Sequence, residues 1–206
     1  MFTLCWSAKG GSGTTVVAAA LAVTAPDPTL VVDLAGDVPL VLGVPVPSGP
    51  GVGDWSVSSA GTERLRALRT AVSPGLELVH RGRVAPAGRW EELGGHLATV
   101  EGSVIIDAGT GVPPAGLVES ADRTLLVTRP CYLALHRAVA LRGPVDGVVL
   151  IDEPGRALTS TDVEAALGAP VVAHVEFDPA IARAVDAGLL LSRLPSGFRR
   201  ELGAAA

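Results

Sequence analysis

The residues with the clearest chemical potential lie in the segment S-A-K-G-G-S-G-T-T, Ser7–Thr15. Glycines allow backbone N–H groups to turn toward an anion, and the N-terminus of a helix adds a partial positive charge. The segment follows an apolar run that is typical of a buried strand and precedes an Ala/Val-rich stretch that is typical of a helix. This strand–loop–helix order predicts a phosphate-binding loop.

The loop departs from the common pattern G-x-x-x-x-G-K-[ST], because Ala8 stands in place of its first glycine and Thr14 in place of its lysine. Its glycines do not fit the dinucleotide-binding pattern G-x-G-x-x-G either. A lysine does occur early in the loop, at Lys9, and it is the only lysine of the chain. A compact ammonium among phosphates is difficult to replace with a planar guanidinium. The sequence therefore indicates a phosphate site whose lysine stands in an unusual place.

Four carboxylates follow predicted strands and could act at this site. Asp33 and Asp107 end two buried strands, where an Asp can hold a ligand or cap the following turn. Asp37 stands where it could be a catalytic carboxylate or the N-cap of a following helix. Asp152 follows the sixth predicted strand, where a solvated turn explains it equally well.

Composition narrows the class of protein. The formal charge of −5 and the pI near 5.3 argue against a surface that grips nucleic acid throughout, although a local basic patch remains open. No apolar run reaches the roughly 18 residues of a membrane span, and no basic leader precedes the first apolar stretch. We therefore expect a soluble, cytoplasmic protein.

Cys5 and Cys131 are expected to be buried reduced thiols, and the four scattered histidines do not predict a metal site.

Strand-like and helix-like segments alternate along the whole chain, which predicts an α/β fold with a mostly parallel sheet covered by helices on both faces. The Pro/Gly-rich stretch Val44–Val57 is predicted to be a long surface connection. The predicted strands are Phe2–Trp6, Leu30–Asp33, Leu76–His80, Ser103–Asp107, Thr124–Thr128, Gly147–Ile151 and Val171–Val175. The predicted helices are Gly13–Val23, Thr62–Ala71, Arg89–Val100, Pro114–Ala121, Tyr132–Leu141, Ser160–Leu167 and Pro179–Ala187.

The segment K-G-G-S-G-T-T resembles the deviant Walker A motif of the MinD/ParA-type P-loop ATPases. V-V-D-L-A-G-D, ending at Asp37, and V-I-I-D-A-G, ending at Gly109, are similar to the family's second acidic motif and its Walker B strand. His174–Gly188 is similar to its late strand, adenine-side loop and helix. The loop variant G-T-T and the phrase D-L-A-G-D-V-P-L-V-L-G most resemble the pilus-assembly (CpaE/TadZ-like) branch.

The resemblance implies a single-domain three-layer α/β/α P-loop NTPase fold over residues 1–195, with about seven strands and a short C-terminal tail at 196–206. It implies ATP and Mg²⁺ as cofactors, with ATP held between two protomers. By position, Lys9 would reach the partner's phosphates, and Thr15 and Asp107 would hold Mg²⁺. Lys9 and Asp37 would be the catalytic residues. The remaining cofactor-binding positions implied by the resemblance are Gly10, Gly11, Ser12, Gly13, Thr14, Asp33 and Asp152.

Two departures from the family pattern bear on activity. Thr14 removes one positive charge beside the phosphates, and Ala35 stands where the family's D-x-D motif has its second Asp. Two functions therefore remain open. One is an ATP-dependent dimerising switch with slow hydrolysis, which positions chromosomes or plasmids, the division site or a pilus or secretion machine. The alternative is a catalytically inactive scaffold or regulatory binding protein.

Partners follow from the same resemblance. We expect a homodimer on ATP binding and a protein partner or polar landmark. Arg193, Arg199 and Arg200 could give modest, salt-sensitive binding to non-specific DNA. Phe198 and Leu202 offer too little apolar surface for stable membrane anchoring. For both sets of residues we expect a solvated tail rather than a tethering surface.

Overall fold

The computed structural model describes residues 1–203, which form a single α/β domain around an eight-stranded sheet. The strand order is β3-β4-β2-β5-β1-β6-β7-β8. The strands are β1 Phe2–Ser7, β2 Thr29–Asp33, β3 Thr70–Ser73, β4 Leu76–Val79, β5 Ser103–Thr110, β6 Arg123–Thr128, β7 Gly147–Asp152 and β8 Val171–Glu176. The helices are α1 Thr14–Thr24, α2 Val38–Leu42, α3 Val52–Ser56, α4 Glu63–Ala67, α5 Trp90–Ala98, α6 Ala115–Val118, α7 Tyr132–Leu141, α8 Ser160–Leu167, α9 Pro179–Asp186 and α10 Ser196–Leu202.

Buried apolar side chains alternate between the two faces of the sheet, as the pleat requires. On β1, Cys5 packs into the core beneath α1, α2, α9 and α10, whereas Leu4 and Trp6 pack into the core beneath α3, α5 and α6. A smaller cluster lies between β7, α7 and α8. The three-layer α/β/α arrangement predicted from the alternation of strands and helices is confirmed.

The register of the parallel strands gathers the predicted site. β1 lies between β5 and β6, and β5 lies between β1 and β2. Cys5 pairs with Asp107 in β5, and Asp107 pairs with Asp33 in β2. The carboxyl ends of β1, β2 and β5 therefore meet at one edge of the sheet, which is where open α/β sheets bind ligands.

The eighth strand was not predicted. Thr62–Ala71, which was predicted to be one helix, divides into the short helix α4 and the strand β3. Gly75 adopts a φ of +80°, which permits the tight turn that folds β3 back on β4 as the antiparallel edge of the sheet.

The predicted long connection at 44–57 also proved to be wrong in part, because it contains α3. The Gly51 N–H donates to Oδ2 of Asp54 at 2.9 Å, which caps the start of this helix. The unpredicted helix α2 begins after Asp37, has Pro39 in its first turn and ends at Gly43 with a φ of +74°. Proline at the start and glycine at the end are compatible with a helix, although both residues resemble loop composition in sequence.

The expectation of a solvated C-terminal tail is wrong for residues 196–202. They form α10, and both Phe198 and Leu202 are buried in the core beside α1 and β8. Glu201 also accepts a hydrogen bond from the Glu176 N–H at 3.2 Å, at the end of β8. The last three residues of the predicted tail, 204–206, lie outside the described residues. None of the described helices is long and apolar enough to cross a membrane.

Candidate functional site

The glycine-rich loop connects the end of β1 to the start of α1. Gly11 and Gly13 have φ values of +77° and +99°, which L side chains rarely adopt. Ser12 is buried, and its hydroxyl donates to the Lys9 carbonyl across the turn at 2.7 Å. Gly13 directly precedes the first helical residue, and its carbonyl accepts from the Val17 N–H at 2.9 Å. The loop therefore places backbone N–H groups and a helix N-terminus at one point, as an anion cradle requires.

Lys9 and Thr14 differ in exposure and in charge: the Lys9 ammonium is in an exposed position, whereas Thr14 is uncharged and buried. The Lys9 ammonium donates to the Gly10 carbonyl at 3.3 Å, in an exposed position, and has no ion-pair partner among residues 1–203. Thr14 is only 6% exposed and lies in the first turn of α1. The cradle thus carries one cation, Lys9, and that cation has no carboxylate partner of its own.

Asp107 supplies a buried carboxylate beside the cradle. Its Oδ1 accepts from the Gly109 N–H at 3.0 Å, whereas its Oδ2 is buried and has no hydrogen-bond partner among the described residues. Burial raises the pKa of Asp107, and the Thr15 hydroxyl partly offsets this rise by interacting with the carboxyl. Mg²⁺ prefers such hard oxygen ligands, so the orphaned oxygen and the adjacent hydroxyl fit a magnesium ion.

Asp33 is fully buried and holds the loop that follows β2. Its Oδ1 accepts from the Gly36 N–H at 2.6 Å, and its Oδ2 accepts from the Val38 N–H at 3.2 Å. Burial, opposed by the Gly36 hydrogen bond, raises the pKa of Asp33 to about 6, with a further contribution from the Asp107 charge. Its two oxygens thus shape the 34–38 loop, and direct contact with a nucleotide stays a prediction.

Asp37 occupies the N-cap position of α2, but its side chain makes no capping hydrogen bond. It is exposed, and its negative charge contributes to the raised pKa of both Asp33 and Asp107. Asp37 is therefore close enough to Asp33 and Asp107 to affect both, and its side chain has no hydrogen-bond or ion-pair partner within residues 1–203. This placement is compatible with the catalytic role implied by the resemblance, which stays a prediction.

Ala35, which stands where the family's D-x-D motif has its second Asp, is contacted by an arginine. Arg81, which follows β4, donates from Nη1 to the Ala35 carbonyl at 3.0 Å. A side chain at Gly36 would lie 3.2 Å from the Arg81 side chain, and one at Gly109 would lie 3.1 Å from the Ala35 methyl. The loop between Asp33 and Asp37 is thus packed closely on two sides.

A cavity of about 250 Å³ opens on the opposite side of the cradle. Its lining comes from the cradle and α1, from the strands β7 and β8, from the loops that follow β6 and β8, and from the helices α9 and α10. Among its lining residues are Gly13, Val17, Arg129, Ile151, Phe177 and Phe198. A mostly apolar cavity beside a phosphate cradle is suited to a nucleobase.

The structure does not place Asp152 in the lining of this cavity. Its carboxylate lies 3.3 Å from Nε2 of His174 on the neighbouring strand β8. Arg129, Phe177 and Phe198 take part in the cavity instead, and none of them was predicted as a site residue. Phe177 lies within His174–Gly188, the segment that resembles the family's adenine-side loop, whereas no local motif marks Arg129 or Phe198.

The remaining sequence expectations concern residues outside the cradle. Arg193, Arg199 and Arg200 are exposed, and their binding to DNA stays a prediction. Cys5 is a buried free thiol, whereas Cys131 is only partly buried. Within residues 1–203 no group of three or more His, Cys, Asp or Glu side chains is placed to hold a metal ion.

Comparison with known proteins places this fold. No family model and no curated protein sequence matches the chain. Among solved structures, it is similar to a ParA family ATPase from Chlorobium tepidum, with a TM-score of 0.74 and 22% identity over 98% of this chain and 96% of the other. It is also similar to the septum site-determining protein MinD of Pyrococcus horikoshii in complex with Mg-ADP, with a TM-score of 0.74 and 20% identity over 97% and 91% of the two chains.

A third similar structure is the ATP complex of a Cyanothece McdA variant, with a TM-score of 0.67 and 19% identity over 100% of this chain and 96% of the other. The fold is therefore that of a P-loop NTPase. More narrowly, it is the fold of the ParA and MinD ATPases, as the resemblance of the loop predicted. The likeness to the CpaE/TadZ branch stays a prediction.

Proposed function

We propose that the chain is an ATP-binding switch protein of the MinD/ParA type, which dimerises on ATP and hydrolyses it slowly. The observation that carries this proposal is the unpaired Lys9 ammonium in an amide cradle, next to the orphaned Oδ2 of Asp107. Within residues 1–203, the Lys9 ammonium has no ion-pair partner and Oδ2 of Asp107 has no hydrogen-bond partner. A nucleotide triphosphate with its magnesium ion would provide a partner for each.

Different groups of the site would bind the phosphates and the magnesium ion. The loop amides of Gly10, Gly11, Ser12, Gly13 and Thr14 would bind phosphate oxygens. Thr15 and Asp107 would hold Mg²⁺, which when bound neutralises part of the phosphate charge. Burial already raises the pKa of Asp107, so a neighbouring cation would stabilise its ionised form.

Dimerisation is proposed from the position of Lys9. Its side chain is at the exposed rim of the loop and donates only to the carbonyl of the next residue. A lysine held in this way can extend toward a second protomer at little cost, because no ion pair within residues 1–203 has to be broken. In the homodimer, each Lys9 would contact the phosphates bound by the partner.

Specific observations also favour the alternative, a scaffold that binds nucleotide without turnover. Thr14 is buried in place of a phosphate-facing lysine, and Ala35 has no acidic group to orient an attacking water. Arg81 packs on the same loop. In this alternative, Asp37 would have no catalytic role and the ATP-bound dimer would persist.

The experiment combines three measurements on the purified chain: ATP affinity by calorimetry with and without Mg²⁺, molar mass by light scattering, and phosphate release. The switch is supported by Mg²⁺-dependent binding, an ATP-dependent dimer and slow turnover that Asp37→Ala abolishes. A stable dimer without turnover favours the scaffold. Absence of binding at millimolar ATP refutes both.

Lys9→Ala tests the intermolecular contact, with the exposed Arg137 of α7 changed to Ala as the matched loss of one positive charge. We expect Lys9→Ala to abolish the ATP-dependent dimer and Arg137→Ala to leave it intact. A Lys9→Ala chain that dimerises normally with ATP would refute the assignment.

The cargo is proposed at the level of class. In the comparisons, MinD of Aquifex aeolicus is found in complex with MinC, and the chain here would likewise act with a protein partner or polar landmark in the cytoplasm. Non-specific DNA binding through Arg193, Arg199 and Arg200 would be weak and lost with added salt. Membrane anchoring through Phe198 and Leu202 is disfavoured, because the core already buries both side chains.

A further inference from the structure

Arg81, which follows β4, is a cation beside the 34–38 loop. Within residues 1–203 no carboxylate lies within ion-pair distance of it. Its Nη1 donates to the Ala35 carbonyl at 3.0 Å, which is the only hydrogen bond of the guanidinium within the same residues. A guanidinium carries several N–H donors in a planar fork that matches phosphate oxygens. The single contact with a backbone carbonyl therefore leaves the charge and most of the donors of Arg81 available.

The main chain that carries Arg81 is fixed to the start of α3. The Val52 N–H donates to the His80 carbonyl at 2.9 Å, and the Gly53 N–H donates to the Arg81 carbonyl at 2.8 Å. Gly82 has a φ of +86°, and its N–H donates to Nδ1 of the buried His80 at 3.1 Å. The main chain on both sides of Arg81 is thus preorganised, so that only its side chain has to change direction to meet a ligand.

The Arg81 side chain lies on a loop that borders the cradle. It packs against Gly36, where an added Cβ would lie 3.2 Å from both Cδ and Nη1 of Arg81. The Ala35 methyl lies against Gly109, where an added Cβ would meet it at 3.1 Å. The Gly109 carbonyl in turn accepts from the hydroxyl of Ser7, where the glycine-rich loop begins, at 3.3 Å. Two close contacts therefore connect Arg81 to the start of the cradle.

The two sides of the cradle differ in what they could bind. The apolar cavity suited to a nucleobase opens on one side. The proposed magnesium ligand Asp107 belongs to β5, and its main-chain carbonyl accepts from the Leu34 N–H at 3.0 Å. In nucleoside triphosphate sites the magnesium ion bridges the last two phosphates. We therefore expect the terminal phosphate on the side of β5 and β2, next to the 34–38 loop and its arginine.

We propose that Arg81 binds the terminal phosphate of ATP and supplies, from within the same chain, the positive charge that Thr14 does not provide. The site would thereby prefer ATP to ADP. This inference rests on the proposed binding of ATP, and it applies to the switch and to the scaffold alike because both bind the nucleotide. A guanidinium can hold two phosphate oxygens at once, which adds directional selectivity to the charge. Lys9 would remain available for the partner protomer.

The test measures ATP and ADP affinities by calorimetry in the presence of Mg²⁺. Arg81→Gln removes the charge, and Arg81→Met removes it while keeping an apolar stem against Gly36. Arg83→Gln is the matched control, because Arg83 is an exposed arginine of the same loop whose guanidinium reaches the Ser48 carbonyl. We expect each Arg81 variant to weaken ATP binding about 10-fold, the lower end for a charge-assisted contact, and ADP binding by less than about 2-fold. The control should change neither affinity.

The same comparison in a Lys9→Ala background separates a contact within one chain from a contact across the dimer. We expect the loss caused by Arg81→Gln to be the same in this background, which should stay monomeric with ATP. A loss that disappears there would overturn the assignment of Arg81 to the phosphate bound by its own chain.

Other outcomes would also overturn the inference. ATP affinity unchanged in both Arg81 variants would show that the guanidinium does not reach the phosphate. Equal losses for ATP and ADP would show that Arg81 only holds the Ala35 carbonyl. A wild-type chain that binds neither nucleotide would refute the proposed function itself, whereas the other outcomes leave ATP binding intact. Thermal unfolding establishes that each variant is folded, and Arg81→Met provides the measurement if Arg81→Gln is not.

Discussion

The two ends of the candidate nucleotide site, the phosphate end and the base end, differ in the groups that form them. The phosphate end is made of backbone amides, two glycines with positive φ and carboxylates at the ends of adjacent strands. The base end is made of side chains from several segments of the chain, including α10 near its C-terminus. A site made of backbone needs particular residue types at fixed spacing, so it leaves a motif. A pocket made of side chains depends mainly on shape, so only part of it, the segment His174–Gly188, could be recognised from the sequence.

The two ends should therefore respond differently to mutation. At the phosphate end, a substitution changes which backbone conformations are accessible and acts mainly on binding. At the base end, a substitution changes packing that is shared with the core, and acts on stability as well. Four predictions test this distinction.

The largest expected effect is at the base end. Phe198→Ala removes a side chain that is 5% exposed, and we expect it to lower the free energy of unfolding by about 3–5 kcal/mol, as for other buried aromatic truncations. Urea denaturation measures this change. Arg199→Ala, on the exposed side of the same helix, should lower it by less than about 0.5 kcal/mol. A loss below about 1 kcal/mol for Phe198→Ala would show that α10 does not unfold together with the core.

At the phosphate end, Gly13→Val should act on binding instead. A β-branched residue cannot adopt a φ of +99° without strain, which costs up to about 3 kcal/mol and should weaken ATP binding about 100-fold. Calorimetric titration with Mg-ATP is the measurement. Gly95→Ala on α5, where an added methyl meets no neighbouring atom, is the control and should bind as wild type does. Retention of tight binding in Gly13→Val would mean that the cradle is not the phosphate site.

The third prediction concerns pH. The pKa of buried Asp33 is raised from 3.8 to about 6, so the folded chain holds this proton more tightly than the unfolded chain does. The associated stability is fully present below pH 3.8 and is lost as the pH rises through about 6, a change of up to about 3 kcal/mol. The unfolding free energy of wild type, measured relative to that of Asp33→Asn, should therefore fall by up to about 3 kcal/mol as the pH rises from 3.8 to about 6. Parallel pH profiles for the two chains would contradict the raised pKa.

The smallest effect is expected from Thr14→Lys, which restores a cation at the phosphate end. A charge-assisted contact contributes about 1.5–3 kcal/mol, and burial of the lysine stem opposes part of it, so we expect ATP affinity to rise about 10-fold. Competition against a fluorescent ATP analogue measures this rise. Thr14→Val, which keeps the size of the side chain without a charge, is the matched control. An unchanged affinity in Thr14→Lys would show that position 14 does not face the phosphates.

The same distinction explains which parts of the fold could be predicted from the sequence. The strands of the central sheet are continuous apolar runs because both faces are covered, and all seven were found. β3 was missed because Thr70–Ser73 is a short, partly exposed edge strand whose pattern does not alternate. α2 and α3 were not predicted because proline or glycine stands at their ends. These residues occur at helix ends as well as in loops, so the sequence pattern did not distinguish the two.

For the candidate site, the sequence predicted the residues that a motif demands. The cradle and the carboxylates Asp33, Asp37 and Asp107 do meet at one edge of the sheet. The sequence did not indicate that both carboxylate oxygens of Asp33 accept hydrogen bonds from backbone amides. It also did not indicate that the Asp152 carboxylate lies against His174. Such pairings depend on the distances between loops, which only the assembled sheet determines.

The sole lysine has a practical consequence for chemical footprinting. Apart from the N-terminal amine of Met1, which donates to the Gly102 carbonyl, Lys9 is the only primary amine of the chain. An acylating reagent would therefore report on one side chain at the rim of the cradle, without substitutions elsewhere. Acylation of Lys9 would add one fixed mass to the chain, and mass spectrometry would follow how fast it appears. A ligand bound at the loop would change that rate.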